Sequence, residues 1–229
     1  MTETAEMMPG NEQILVASLP TISRLALAYA PGPARLPTLA LLGLDARLAG
    51  LLRHSREPML AQLRLAWWRE SLGRDQGEWP EGEPLLAALR SWNGEHKALT
   101  ALVDGWEALT GPAPLPGEAL AAMARGRGEA FAALARALGR EAEAEAASRL
   151  GEQWGLADLA VRLGDPRERA EAAALAGAGK GPRPRLSRRL RPLLVLHALA
   201  HRRLDKGEEA AAFSPAALLK AMRLGLLGF

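Results

Sequence analysis

The spacing of apolar residues decides what this chain can fold into. They recur at intervals of three and four rather than two, as Leu65, Trp68 and Leu72 do. That interval places apolar side chains on one face of an α-helix, whereas a half-buried strand needs strict alternation. The chain is also rich in Ala, Leu, Arg and Glu, which favour helices. The sequence therefore predicts an all-α protein.

Glycine and proline residues divide this pattern into separate helices. Pro20 is expected to break or kink the first helix and Gly139 the longest one, while Asn93 and Asp165 are expected to cap helix starts. No shift in composition splits the chain, so we expect a single domain over residues 1–229, with 1–11 disordered and 177–186 forming a basic Gly/Pro loop. The predicted helices are 12–29, 34–53, 57–73, 85–92, 93–110, 118–164, a short helix after 165, 187–206 and 215–227.

Composition excludes several classes of protein. A chain of 229 residues can bury a large core without crosslinks. It contains no cysteine, which rules out disulfides, thiolate catalysis and cysteine-ligated metals. The first twenty residues do not resemble a signal peptide, and the apolar runs are shorter than a membrane-spanning helix needs. We expect a cytoplasmic protein, with association at a membrane surface as an alternative.

Positive charge is concentrated in one stretch. The net charge is +3, from 29 Lys and Arg against 26 Asp and Glu. The stretch GKGPRPRLSRRLR, 179–191, holds six basic residues and no acid. We interpret it as a solvated linker, with contact to phosphate or anionic lipid as the alternative. No aromatic residue interleaves it, so a nucleic acid partner is not expected.

Three groups of motifs follow one another along the chain. RLALAYAP, LPTLALLGLDARLA and the EP of 57–58 followed by RLAWWRESL lie within 24–72. LAAMARGRGEAFAALARALG and RLGEQWGLADLAVRLGD follow at 120–139 and 149–165, before the last two helices. Together they resemble the squalene/phytoene synthase family over residues 20–228. RLAWWRESL is the most specific part of the resemblance.

The resemblance implies a fold and a chemistry. The fold is a helical bundle of the isoprenoid synthase type around a deep cavity, and active members join two prenyl diphosphates. Two acidic motifs on facing helices hold Mg²⁺ ions that bind the diphosphates. Here the first motif retains Asp45, but position 49 is alanine. The second retains Asp158 and Asp165, with Arg162 between them.

These incomplete motifs favour a non-catalytic function. The first hypothesis is a divergent family member without Mg²⁺-dependent synthase activity and without a cofactor, which acts as a binding or assembly factor for a protein partner. It is similar in this respect to the branch of the family that assists assembly of respiratory complex I. The acids would then form salt bridges, and Asp165 would cap a helix.

Two alternatives remain. One is a working prenyltransferase that condenses prenyl diphosphates, with Mg²⁺ held weakly by the acids, and arginines binding part of the diphosphate. The other is a non-catalytic carrier of an isoprenoid or lipid. No catalytic residue is assigned. The candidate metal ligands are Asp45, Asp158 and Asp165, and the candidate diphosphate ligands are Arg24, Arg47, Arg64, Arg69 and Arg162.

The tryptophan pair predicts a helix that is buried on two sides. Trp67 and Trp68 point about 100° apart on a helix, so they cannot share one face. Each instead extends a different apolar stripe at three- and four-residue spacing, and we expect both stripes to be buried. The stripes are Leu60, Leu63 and Trp67, and Leu65, Trp68 and Leu72.

Overall fold

The computed structural model describes residues 9–54, 58–179, 181, 184–207 and 214–228. Every regular element in these ranges is a helix, which confirms the all-α class. Short 3₁₀ segments and a final π-helical turn, Arg223–Leu227, accompany eleven α-helices. The α-helices are α1 (Pro9–Ser18), α2 (Thr21–Leu27), α3 (Gly32–His54), α4 (Pro58–Gly73), α5 (Pro84–Leu89), α6 (Thr100–Ala108), α7 (Gly117–Ala137), α8 (Ala144–Arg162), α9 (Pro166–Ala178), α10 (Arg191–Lys206) and α11 (Pro215–Met222).

Several predicted helix boundaries are confirmed and one cap is wrong. Pro20 separates α1 from α2, and Gly139 ends the turn after α7 with a φ of +67°. Asp165 caps α9 by accepting hydrogen bonds from the backbone N–H groups of the next turn. Asn93 does not begin a helix: it ends the 3₁₀ segment Arg90–Trp92 with a φ of 49°. Asparagine is suited both to capping the start of a helix and to ending a helical segment, since it tolerates the left-handed conformation.

The two segments predicted to lack regular structure are partly helical. Residues 9–11 belong to α1, so the prediction of disorder is wrong for them, whereas 1–8 lie outside the described residues. Within 177–186, α9 extends to Ala178, while 181 and 184–186 have no regular structure, and 180, 182 and 183 lie outside the described residues. The basic stretch 179–191 is not entirely solvated, because Arg189 donates a hydrogen bond to the Leu138 carbonyl oxygen at 2.9 Å.

The centre of the bundle is the contact between α7 and α8. α6 and α3 pack against α7, and α10 packs against α8. Glycines allow this close approach: a Cβ atom on Gly126 would lie 2.4 Å from the Ala101 carbonyl oxygen, and one on Gly151 would lie 2.6 Å from that of Arg127. Alanine at either position would therefore push neighbouring helices apart. These contacts fix the positions of the side chains between α3, α7 and α8.

The two tryptophans of α4 lie in different environments. Trp68 is 4% exposed and packs in the core with Leu65 and Leu72, as predicted. Trp67 is 41% exposed, and its ring meets that of Trp68 edge to face with centroids 5.0 Å apart. Leu60 and Leu63 of the same stripe are also exposed. The prediction that both stripes are buried is therefore wrong for the stripe that contains Trp67. α4 packs on α3, on α6 and on the 3₁₀ segment Glu95–Leu99, while its Leu60, Leu63 and Trp67 side chains stay exposed.

No helix in the described ranges has both the length and the apolar character needed to cross a bilayer.

His96 is a buried histidine away from the centre of the bundle. It is 1% exposed, and its ring meets that of Trp79 with centroids 4.7 Å apart. Nε2 lies 3.2 Å from the Arg74 carbonyl oxygen, and Nδ1 lies 3.3 Å from the Gln76 side-chain nitrogen. These partners fit a neutral ring that donates from Nε2 and accepts at Nδ1. Burial lowers the pKa of His96, and the hydrogen bond to Arg74 offsets this only in part.

We expect this histidine to make the protein less stable in mild acid. The unfolded chain binds a proton at about pH 6.5, whereas the folded state resists it, so the free energy of unfolding falls as the pH drops below that value. One proton accounts for at most about 1.4 kcal/mol per pH unit. Urea unfolding of the wild type and of His96→Gln between about pH 7.5 and pH 5 measures the difference. Equal slopes for the two proteins would contradict this role of His96.

Candidate functional site

A buried arginine lies at the centre of the bundle. Arg127, on α7, is 2% exposed, and it follows Leu120 and Met123 on the side of α7 that faces the core. A charged side chain at such a position needs compensating charges and hydrogen bonds, since removing it from water is unfavourable. Acids on two neighbouring helices supply them.

Arg127 joins Asp45 of α3 to Asp158 of α8. Its Nε donates to Asp45 Oδ1 at 3.0 Å and its Nη2 to Asp45 Oδ2 at 2.9 Å, which makes a bidentate pair. Its Nη1 donates to Asp158 Oδ2 at 3.2 Å. Both acids are themselves buried, at 8% and 6% exposure. The single guanidinium thus holds together three helices that are far apart in sequence.

Aromatic rings complete the surroundings of the guanidinium. Its central carbon lies 4.1 Å from the ring centroid of Trp154 and 5.2 Å from that of Trp106, within the range of cation–π attraction. Trp106 Nε1 also donates to Asp45 Oδ1 at 3.0 Å. Trp154 also stacks on Phe131, with ring centroids 5.2 Å apart. The ion pair is therefore enclosed by aromatic surface.

Two more arginines lie near Oδ1, the other carboxylate oxygen of Asp158. Arg162 Nε lies 2.7 Å from Asp158 Oδ1, and Arg203 Nη1 lies 3.9 Å from the same atom. We call Arg127, Arg162, Arg203, Asp45 and Asp158 the arginine cluster. Burial lowers the pKa of Arg127, but the charges of Asp45 and Asp158 and the hydrogen bonds to them outweigh it and raise that pKa overall. Arg127 stays protonated, and the cluster carries one net positive charge.

The contacts of the cluster do not fit a bound Mg²⁺ ion. Both oxygens of Asp45 and both of Asp158 already accept or face an arginine or tryptophan N–H. Mg²⁺ needs oxygen ligands in near-octahedral geometry, and the positively charged guanidinium that lies between the two acids would repel it. Elsewhere in the described ranges, no three His, Cys, Asp or Glu side chains lie together in a way that could hold a metal ion. The cationic group between Asp45 and Asp158 is a guanidinium of the chain itself.

Asp165 lies apart from the arginine cluster. Its Oδ1 accepts hydrogen bonds from the backbone N–H of Arg167 at 2.7 Å and of Glu168 at 3.4 Å, which makes it the N-cap residue of α9. Arg162 lies between it and Asp158 in sequence and pairs with Asp158. Of the three candidate metal ligands, the structure thus brings together Asp45 and Asp158 and gives Asp165 a capping role.

The candidate diphosphate ligands are dispersed. Arg162 belongs to the cluster, whereas Arg24 is exposed and donates to the Thr21 hydroxyl at 3.3 Å, and Arg64 is exposed on α4. The other two pair with acids: Arg47 with Glu83 at 3.7 Å, and Arg69 with Asp104 at 2.5 Å and with Glu107. They do not form one site.

An apolar cavity opens beside Asp158. Its volume is about 200 Å³, and its charged lining residues are Arg53, Arg162 and Asp158. The rest of the lining is apolar: Ala49, Leu52, Trp106, Leu109, Leu115, Leu159 and Leu163.

An open cleft adjoins this cavity through Arg53 and Arg162. The cleft measures about 760 Å³, and its lining also includes Arg203. A further cavity of about 340 Å³ lies between α1, α3 and α5, where it includes Arg47 and Arg53 but no member of the arginine cluster.

Sequence reasoning identified both acids and Arg162 but missed Arg127. The signal was present, since Arg127 sits between Gly126 and Gly128 and continues the apolar stripe of α7. A charged residue on an apolar stripe is either buried with partners or misplaced. The partners lie 82 and 31 residues away, at Asp45 and Asp158, so no local pattern could identify them.

Comparison of the chain with protein-family models, with curated proteins and with solved structures found no match. The resemblance to squalene/phytoene synthases therefore stays a prediction.

Proposed function

We propose that this chain is a squalene/phytoene synthase-like helical bundle that lacks Mg²⁺-dependent synthase activity and acts as a binding or assembly factor. The all-α architecture is compatible with the isoprenoid synthase type of bundle. The observation that carries the proposal is the bridge from Arg127 to Asp45 and Asp158.

The bridge bears on the chemistry because of where these two acids lie in the sequence. Asp45 and Asp158 belong to the two segments that, by resemblance, would hold Mg²⁺ between facing helices. A guanidinium can balance their charge and tie the helices together, but it cannot take diphosphate oxygens into a shared metal coordination sphere. The acids then serve the stability of the bundle rather than leaving-group activation.

The expected result is that a prenyl diphosphate has no Mg²⁺-dependent effect. The melting temperature with farnesyl diphosphate should be the same with and without Mg²⁺, and no pyrophosphate should be released, because Arg127 already pairs with both Asp45 and Asp158. Differential scanning fluorimetry and a pyrophosphate assay measure the two quantities. Stabilisation that requires Mg²⁺, followed by pyrophosphate release, would overturn the proposal.

Asp165→Asn is a matched variant for the same assays. Asparagine caps helices as well as aspartate does, so α9 is retained while a candidate metal ligand is removed. The variant should match the wild type with and without Mg²⁺. A Mg²⁺ response that is present in the wild type and absent in Asp165→Asn would instead assign a metal to this acid.

A further inference from the structure

The arginine-lined cleft and the apolar cavity beside it meet at Arg53 and Arg162. The cleft has three charged residues in its described lining, and all are arginines: Arg53, Arg162 and Arg203. The cavity has mainly apolar walls and about 200 Å³ of space. A positively charged opening thus leads to an apolar interior.

Arg53 has no neutralising partner in the part of the chain that the structure describes. It is exposed near the end of α3 and makes no hydrogen bond or ion pair with any residue in the described ranges. Arg162 is 35% exposed at its side chain and pairs only with Asp158 there, so part of its guanidinium faces the cleft. Arginine forks bind carboxylate and phosphate oxygens through two parallel hydrogen bonds.

The lining residues therefore have more positive than negative charge. Among the described residues, Arg53, Arg162 and Arg203 line the cleft or the cavity together with one acid, Asp158, so three formal positive charges face one negative charge. A concave surface lined by one sign of charge concentrates ions of the other sign. The cleft suits an anion, and the cavity suits an apolar chain attached to it.

We propose that the cleft and cavity between α3, α8 and α10 form a metal-independent site for a small amphiphile with one oxyanion head and a short apolar chain. Arg53 and Arg162 bind the head, and the walls formed by Leu109, Leu115 and Leu163 take the chain. The proposal rests on the proposed absence of Mg²⁺ chemistry, because the acids nearest the site are already paired.

The size of the cavity limits the chain. A volume of about 200 Å³ corresponds to roughly seven water-sized groups, so about six to eight carbons fit. Each buried methylene should tighten binding about four-fold until the cavity is full, and further carbons should add little. A limit of this kind distinguishes a cavity from adsorption to a surface.

Isothermal titration without Mg²⁺ tests the site with butyrate, hexanoate, octanoate, dodecanoate and octyl phosphate. Inorganic phosphate supplies the head alone and octanol the chain alone. We expect octanoate and octyl phosphate to bind more tightly than either half, with a gain that stops near eight carbons. Octanoate binding no tighter than phosphate or octanol would overturn the proposal, as would an affinity that keeps rising through twelve carbons.

Two variants separate the head site from the chain site. Arg53→Gln should weaken octanoate at least ten-fold, whereas Arg64→Gln, an exposed arginine that lines neither space, should bind as the wild type does. Ala49→Leu should weaken octanoate but leave phosphate unchanged, because it fills the apolar cavity. Wild-type affinity in Arg53→Gln would refute the assignment of the head.

The test also distinguishes this proposal from the proposed function. Octanoate binding that appears only with Mg²⁺ would overturn both. Absence of binding under all conditions would overturn the site alone, because the Mg²⁺ response to farnesyl diphosphate and the release of pyrophosphate are measured separately.

Discussion

Replacement of Arg127 by methionine is expected to lower the free energy of unfolding by about 3–5 kcal/mol, the usual result of removing one partner from a buried ion pair. Methionine fills similar space but leaves Asp45 and Asp158 buried without the cation between them. Trp106 and Trp154 would lose a cation–π partner as well. Urea unfolding monitored by circular dichroism gives the free energy, provided that the variant still folds.

Arg136→Met is the matched control on the same helix. Arg136 pairs with Glu95 at 2.8 Å, but both side chains are partly exposed, at 26% and 37%. Water already solvates such a pair, so its loss should change the free energy of unfolding by about 1 kcal/mol or less. A loss of that small size for Arg127→Met would show that the buried bridge does not stabilise the bundle.

The double variant Arg127→Met with Asp45→Asn keeps the test informative even if the single variant does not fold. Replacing the carboxylate by a neutral amide removes an uncompensated buried charge, so the double variant should be more stable than Arg127→Met alone. Equal or lower stability of the double variant would contradict the pairing of these residues. The free energies of unfolding of the wild type, Arg127→Met, Asp45→Asn and the double variant together give the coupling energy between the two side chains.

Trp68→Ala is expected to lower the free energy of unfolding by about 3–5 kcal/mol, since it empties a large space in the core. Trp67→Ala, one residue earlier, should lower it by about 1 kcal/mol, the value of an edge-to-face contact between rings. The two side chains differ in exposure, at 4% and 41%, while helix and residue type are the same. Urea unfolding of both variants checks the difference.

A similar loss for both tryptophan variants would contradict the exposed position of Trp67. It would mean that the stripe of Leu60, Leu63 and Trp67 is covered in solution by something that the structure does not contain. The concentration dependence of the unfolding midpoint would then show whether a second copy of the chain covers it.

The helical class and most helix boundaries followed from local patterns. A period of three to four residues, proline at position 20 and glycine at 139 act within one or two turns, so sequence alone reports them. The burial of Trp68 followed for the same reason. The exposure of Trp67 did not, because an apolar stripe shows which side chains can be buried but not whether another helix is there to cover them.

The candidate site also has features that follow from local sequence patterns and features that depend on how the helices pack. The sequence by itself predicted that Asp45 and Asp158 lie on helices, that Arg162 lies one helical turn from Asp158, and that Asp165 can cap a helix. Only the tertiary structure decided that both acids meet one buried guanidinium, that of Arg127. Ion pairs across 82 and 31 residues depend on how α3, α7 and α8 pack, and the glycines that set this packing act through contacts between helices that no local pattern records.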